Sequence, residues 1–241
     1  SFPLIQIFNN QVAELCKEFP NSFSALASLP MADINLAVQE YKRARDELGL
    51  IGAILPNNCF ISEDHANQVA PIFKVAQEIG GHLFIHPGRR PDEVPEKYAQ
   101  TKPNFTDFAA ERLALGVQHN VSHCMVTLLF STFLDAYPDI TLHVANLGGT
   151  LPMVIERMDN VSLTRTPNAP LPSSRVNKFH VDCSSLGPRS LELATSIFGA
   201  KRILFGTDCP IFSTKQSLNA VATANIKNSE KQLILDNNAR E

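Results

Sequence analysis

The chain is predicted to fold as an α/β protein on a parallel sheet, and three observations carry that prediction. Strand-like and helix-like segments alternate from end to end. Three short apolar runs, His82-Leu83-Phe84-Ile85-His86-Pro87, Ile140-Thr141-Leu142-His143-Val144-Ala145-Asn146 and Ile203-Leu204-Phe205-Gly206-Thr207-Asp208, read as buried parallel strands. Each ends on a residue able to bind metal or do chemistry, and in such folds the active site is built from the carboxyl ends of the strands.

The elements follow in order. A helix covers 9–18, and 23–29 is strand-like up to Pro30. Asp33 caps a helix over 33–48 with Leu36, Ala37, Tyr41, Ala44 and Leu48 on one stripe, and Gly49 closes it. A strand at 51–55 stops at Pro56. A helix over 69–79 ends at the C-cap signal Gly80-Gly81, before strand 82–86. Residues 88–104, rich in Pro and charge, read as a long loop. Helices at 105–115 and 121–136 are separated by a break near Gly116. Strand 140–145, helix 151–161 and a Pro-rich loop at 164–176 come next. Strands 179–183 and 203–206 flank helix 190–198, and helices fill the remainder. The count is six strand–helix units in one domain, 1–241, without repeat, low-complexity tract or linker. Six units suit an open doubly wound sheet or most of an eight-stranded barrel.

Bulk properties exclude several classes. The 241 residues are 44% hydrophobic and 19% charged, which is a globular composition. A net charge of −3 gives no general attraction to nucleic acid or to an anionic membrane. No apolar run reaches the ~18 residues that a membrane span needs, and no signal peptide is visible. Cys16, Cys59, Cys124, Cys183 and Cys209 form no C-x-x-C pair, so reduced thiols in a cytoplasmic enzyme are expected.

Four segments decide between sheet and barrel. Phe23-Ser24-Ala25-Leu26-Ala27-Ser28-Leu29-Pro30, Phe84-Ile85-His86-Pro87, Gly148-Gly149-Thr150-Leu151-Pro152 and Gly206-Thr207-Asp208-Cys209-Pro210, in this order, resemble the amidohydrolase-related family of metal-dependent (β/α)8 barrels. That family includes aminocarboxymuconate-semialdehyde and resorcylate-type decarboxylases. The resemblance implies a (β/α)8 TIM-type barrel in which the six strands are strands three to eight. It also implies that the first two strands, one carrying a His-x-His pair, lie ahead of Ser1 or survive only as their last residues at 1–7.

The same resemblance implies the site. His86 matches a metal-ligating strand-end histidine. Asp208 matches a carboxylate that touches both the metal and its bound water; the alternative is an N-cap for the next helix. Asn146 stands where the family has a histidine that helps proton transfer, and an amide cannot act as a base near neutral pH. His143, three residues earlier, is expected on the opposite strand face and so cannot substitute. Asp182 either supports the site or binds backbone amides. By position alone, not by resemblance, Arg89 or Arg90 after the His86-Pro87 turn is a candidate to hold a substrate carboxylate, the alternative being a solvated arginine. Arg157 lies in a segment implied to pack across a homodimer. His82 lies roughly 13 Å deeper along its strand than His86 and is read as structural; His65, His119 and His123, without motif context, are read as structural or exposed.

The implied cofactor is a divalent metal, zinc first and manganese second. The implied reaction is non-oxidative decarboxylation of a small aromatic or unsaturated carboxylic acid. The alternatives are a metal-dependent lactone or amide hydrolase and a non-catalytic ligand-binding barrel.

Overall fold

The computed structural model describes residues 2–94 and 108–240. The chain divides into two compact units, Ser1–Leu113 with Ser131–Leu142, and Ala114–Phe130 with His143–Glu241. Part of the predicted loop 88–104 and the start of the predicted helix 105–115 lie outside the described residues.

In the first unit, helix α1 (Phe2–Glu18) leads to strand β1 (Leu26–Ala27), helix α2 (Ile34–Asp46), strand β2 (Gly52–Pro56), helix α3 (Glu63–Ile79) and strand β3 (His82–His86). The strands are parallel, with Leu26 opposite Gly52 and Pro56 opposite His86. Residues 2–7, which one of the two expectations made the remnant of a strand, are helical instead. The register of α1 is fixed by Asn9, fully buried, which donates to Ser28 O at 2.9 Å and to Glu40 Oε1 at 2.7 Å. Burial works against the Glu40 charge, but hydrogen bonds from Arg43 and Asn9 outweigh it and hold the carboxyl below its usual range.

Asp33 caps α2 as expected, accepting from Asn35 N and Leu36 N. Helix α3 begins six residues before its predicted start, because Ser62 caps it and Glu63 and Asp64 favour its first turn. Leu83 and Ile85 on β3, Ala53 and Leu55 on β2, and Ile72 and Phe73 on α3 form the buried core. Phe60, Phe73 and Phe133 pack edge to face, with ring centroids 4.9–6.2 Å apart.

The second unit holds most of helix α4 (Ala109–Phe130), the end of strand β4 (Thr141–Val144), helix α5 (Leu151–Arg165), strand β5 (His180–Asp182), helix α6 (Pro188–Phe198), strand β6 (Ile203–Leu204) and helix α7 (Thr214–Thr223). The break expected near Gly116 is absent. A single glycine is tolerated inside a helix otherwise rich in good formers. Here too the strands are parallel, with His143 opposite His180 and Asp182 opposite Leu204. Asn238 donates to Ala200 O and Ile203 O at 2.7 and 2.8 Å, tying the last helical turn to β6. Among the described residues no helix is long and apolar enough to cross a membrane.

Candidate active site

In the first unit the chemistry sits where β2 and β3 end. His86 closes β3, and its Nδ1 lies 3.1 Å from Pro87 O. A carbonyl oxygen only accepts, so Nδ1 carries the proton and the imidazole lone pair falls on Nε2, the nitrogen a metal would use. The turn after it is clamped by the segment after β2. Gly88 N donates to Asn57 Oδ1 at 2.9 Å, and Asn58 N donates to Gly88 O at 3.2 Å. Asn57 is 1% exposed, and no described residue accepts from its Nδ2. A cavity of about 220 Å³ opens here, lined by Ser28, Leu29, Ile54, Pro56, His86 and Gly88.

The two arginines of this turn differ. Arg90 is committed to Asp92 at 2.9 Å and to Glu93 at 3.3 Å. Arg89 is exposed. His82 contacts Thr141 Oγ1 at 3.0 Å, and His65 contacts the capping Ser62 Oγ at 2.7 Å.

In the second unit a buried polar network closes the ends of β4 and β5. Asp182, 4% exposed, accepts at Oδ1 from Asn146 N (3.2 Å), Ser184 N (2.9 Å) and Ser184 Oγ. Its Oδ2 lies 3.6 Å from His143 Nε2. Burial opposes the Asp182 charge, but hydrogen bonds from His143 and Ser184 prevail and lower the carboxyl below its usual range.

The alternation that set His143 opposite Asn146 does not extend that far. β4 ends at Val144, and Asn146 has left the strand with φ +58°. The two-residue alternation therefore stops before it reaches Asn146. Asn146, Leu147, Gly148 and Gly149 all have positive φ, a turn costly to its two side-chain-bearing members. At Gly149 a Cβ would lie 2.4 Å from Gln118 O, so the turn also depends on close contact with α4.

Asp208 follows β6 in the left-handed region, with φ +53°. It does not cap the next helix, which starts at Thr214 behind Ser213. Gly206 packs closely: a Cβ there would sit 3.0 Å from the Cβ, Cγ and Oδ1 of Asp182, which would have to give way. That contact ties the Gly206-Thr207-Asp208 segment to the network. Sequence reasoning missed Ser184 and Asn57, which belong to no motif. Their signal was position alone, each lying one or two residues beyond a strand end. Among the described residues no three His, Cys, Asp or Glu converge as a metal site.

Comparison with known proteins places this geometry in context. The amidohydrolase family matches residues 5–241. A 2-amino-3-carboxymuconate-6-semialdehyde decarboxylase from Dictyostelium discoideum is 26% identical over 214 residues, covering 86% of this chain and 56% of that protein. A gamma-resorcylate decarboxylase from Polaromonas sp. is 28% identical over 248 residues, covering 96% of this chain and 73% of that protein. The chain thus spans little more than half of the first relative. In structure, 2,6-dihydroxybenzoate decarboxylase complexed with 2,6-dihydroxybenzoate gives a TM-score of 0.77 at 20% identity, covering 99% of this chain and 76% of that one. A Polaromonas dihydroxybenzoic acid decarboxylase with bound manganese gives 0.74 at 22%, covering 99% and 74%. At these identities the structural likeness establishes the fold, that of the amidohydrolase TIM-type barrels.

Proposed function

Because this chain belongs to the amidohydrolase family, we propose that it is a metal-dependent decarboxylase of a small aromatic or unsaturated carboxylic acid, the chemistry named in its curated relatives. The observation that carries this reading is Asp208. It lies four residues beyond parallel strand β6 in a left-handed conformation, is no helix cap, and follows a glycine packed closely against Asp182.

The metal fits in kind and falls short in number. An imidazole nitrogen and a carboxylate oxygen suit Mn²⁺ or Zn²⁺, whereas a zinc site uses about three or four protein ligands. His86 through Nε2 and Asp208 through its carboxylate would hold the ion. When bound, it would polarise oxygens of the substrate.

The chain's own residues supply the remainder. Arg89, exposed on the turn after His86, offers a guanidinium to the substrate carboxylate. Asp208, as the carboxylate, takes a proton from water and passes it to the ring carbon that bears the substrate carboxylate. The carbon–carbon bond then breaks, its electron pair restores the ring, CO₂ leaves, and the hydroxide left by the water takes up CO₂ as bicarbonate. Release of CO₂ from 2,6-dihydroxybenzoate by protein supplied with Mn²⁺ or Zn²⁺ tests the reading; none with either metal, and none from related aromatic acids, would overturn it.

The α5 surface around Arg157 is the proposed homodimer face. Arg157 lines an apolar groove of about 420 Å³ with Val126, Phe130, Val154 and Val161, and Met153 on the same helix is 79% exposed. A monomeric mass by light scattering at micromolar concentration would reject it.

A further inference from the structure

Of the seven histidines, four lie half-buried on β3, β4 and β5 and one in the first turn of α3; only His119 and His123 are exposed. Those two are neighbours. Both sit in the middle of α4, four residues apart, a spacing that puts them on one side of the helix. Their ring centroids are 4.6 Å apart, with the ring planes at 75°. Among the described residues neither imidazole is hydrogen-bonded or ion-paired.

We propose that His119 and His123 form a second metal site, a two-imidazole clamp for a nitrogen-seeking late first-row cation such as Ni²⁺ or Cu²⁺. Histidines at i and i+4 on a helix present two ring nitrogens to one ion. With nitrogen–metal bonds of ~2.1 Å, two rings in adjacent coordination positions have their centres about 4.5–5 Å apart. The observed separation already meets that requirement. The rings have only to turn about their own side-chain bonds, which exposed side chains do freely. The backbone between them does not have to move. Ser122 Oγ donates to Gln118 O at 2.7 Å and accepts from Thr150 N at 2.8 Å, so this helical turn is anchored on its inner face. Holding the two donors on a fixed turn lowers the entropy lost on binding. Imidazole suits nickel and copper, whereas Mn²⁺ stands lowest in the affinity order and favours oxygen ligands. The clamp uses neither His86 nor Asp208 and does not depend on the decarboxylase reading.

The probe is Ni²⁺, which spares the exposed Cys209 thiol the oxidation that Cu²⁺ brings. Untagged full-length protein is passed over immobilised Ni²⁺, and Ni²⁺ is titrated calorimetrically. The wild type should be retained. His119→Ala and His123→Ala should elute early, and each should weaken the clamp by about 100-fold, since the second nitrogen no longer binds intramolecularly. Alanine favours the helix, and a thermal melt confirms folding. Should one variant fail to fold, the other carries the test. His123→Ala combined with Asn120→His keeps two exposed imidazoles but sets them at adjacent positions that do not face each other. It should elute as early as the single variants.

Failure of the wild type to be retained would overturn the proposal. Retention of either single variant like the wild type would do so too. Retention restored by Asn120→His would show that histidine number and not the pair binds the metal, and would also overturn it.

Discussion

A carboxyl buried as deeply as Asp182 resists ionisation, because leaving water penalises the charge. Here His143, Ser184 and two backbone N–H groups make ionisation the favoured state. The folded pKa lies below the unfolded value, so the stabilisation is complete above about pH 4 and is lost as pH falls through the lowered folded value. Glu40 shifts in the same direction and contributes over the same window. Comparison with Asp182→Asn separates the two: the wild type should lose melting temperature faster than the variant below pH 4. At pH 7, Asp182→Ala should cost on the order of 3–5 kcal/mol, because His143 and two amides lose their partner together. Chemical denaturation measures it, and a cost below about 1 kcal/mol would show that the network does not hold the turn. At this scale the sequence located Asp182 and Asn146 but not their connection. Alternation was carried past the end of β4 to residues that had already left the strand, and this concealed His143 as the partner of Asp182.

At the scale of elements, what was legible followed from local chemistry. Pro56 ends β2, Asp33 caps α2, and His82–His86 is a strand throughout. What was not legible depended on tertiary contacts. The predicted strand 23–29 narrows to Leu26–Ala27, since ladder pairing to β2 is confined to those two residues. Two elements place the His86 turn, and the Asn57 contact to Gly88 lies between them. Asn57→Ala leaves Gly88 N without its acceptor, which costs about 1–3 kcal/mol. It should also weaken Mn²⁺ binding about 10- to 100-fold, the usual effect of losing an outer-shell support. Calorimetric metal titration beside a thermal melt checks both. Lowered stability with unchanged metal affinity would limit Asn57 to a structural role. For β6, Gly206→Ala meets the Asp182 carboxyl at 3.0 Å. It should lower the melting temperature and, by displacing Asp182, loosen the Asn146 turn. A variant as stable as wild type would show that the approach relaxes freely.

For the whole molecule, the net charge of −3 predicts no general attraction to nucleic acid or to an anionic membrane, and four dispersed segments pointed to the family that the comparisons establish. Metal binding tests the proposed site at this scale, because a ligand that binds only the folded chain stabilises all of it. At a free metal concentration about 100 times Kd, the gain is about 2.7 kcal/mol. In a chain of this size each kcal/mol moves the midpoint by about 2–4 °C, so Mn²⁺ or Zn²⁺ should raise it by roughly 5–11 °C. The variants then separate the roles. His86→Ala and Asp208→Ala should each abolish most of the shift, since each removes a donor to the ion. Arg89→Ala should keep the shift and raise KM for carboxylate substrates, since its guanidinium meets substrate and not metal. A metal shift retained in full by both His86→Ala and Asp208→Ala would place the ion elsewhere, and Asp208 would then act by moving a proton alone.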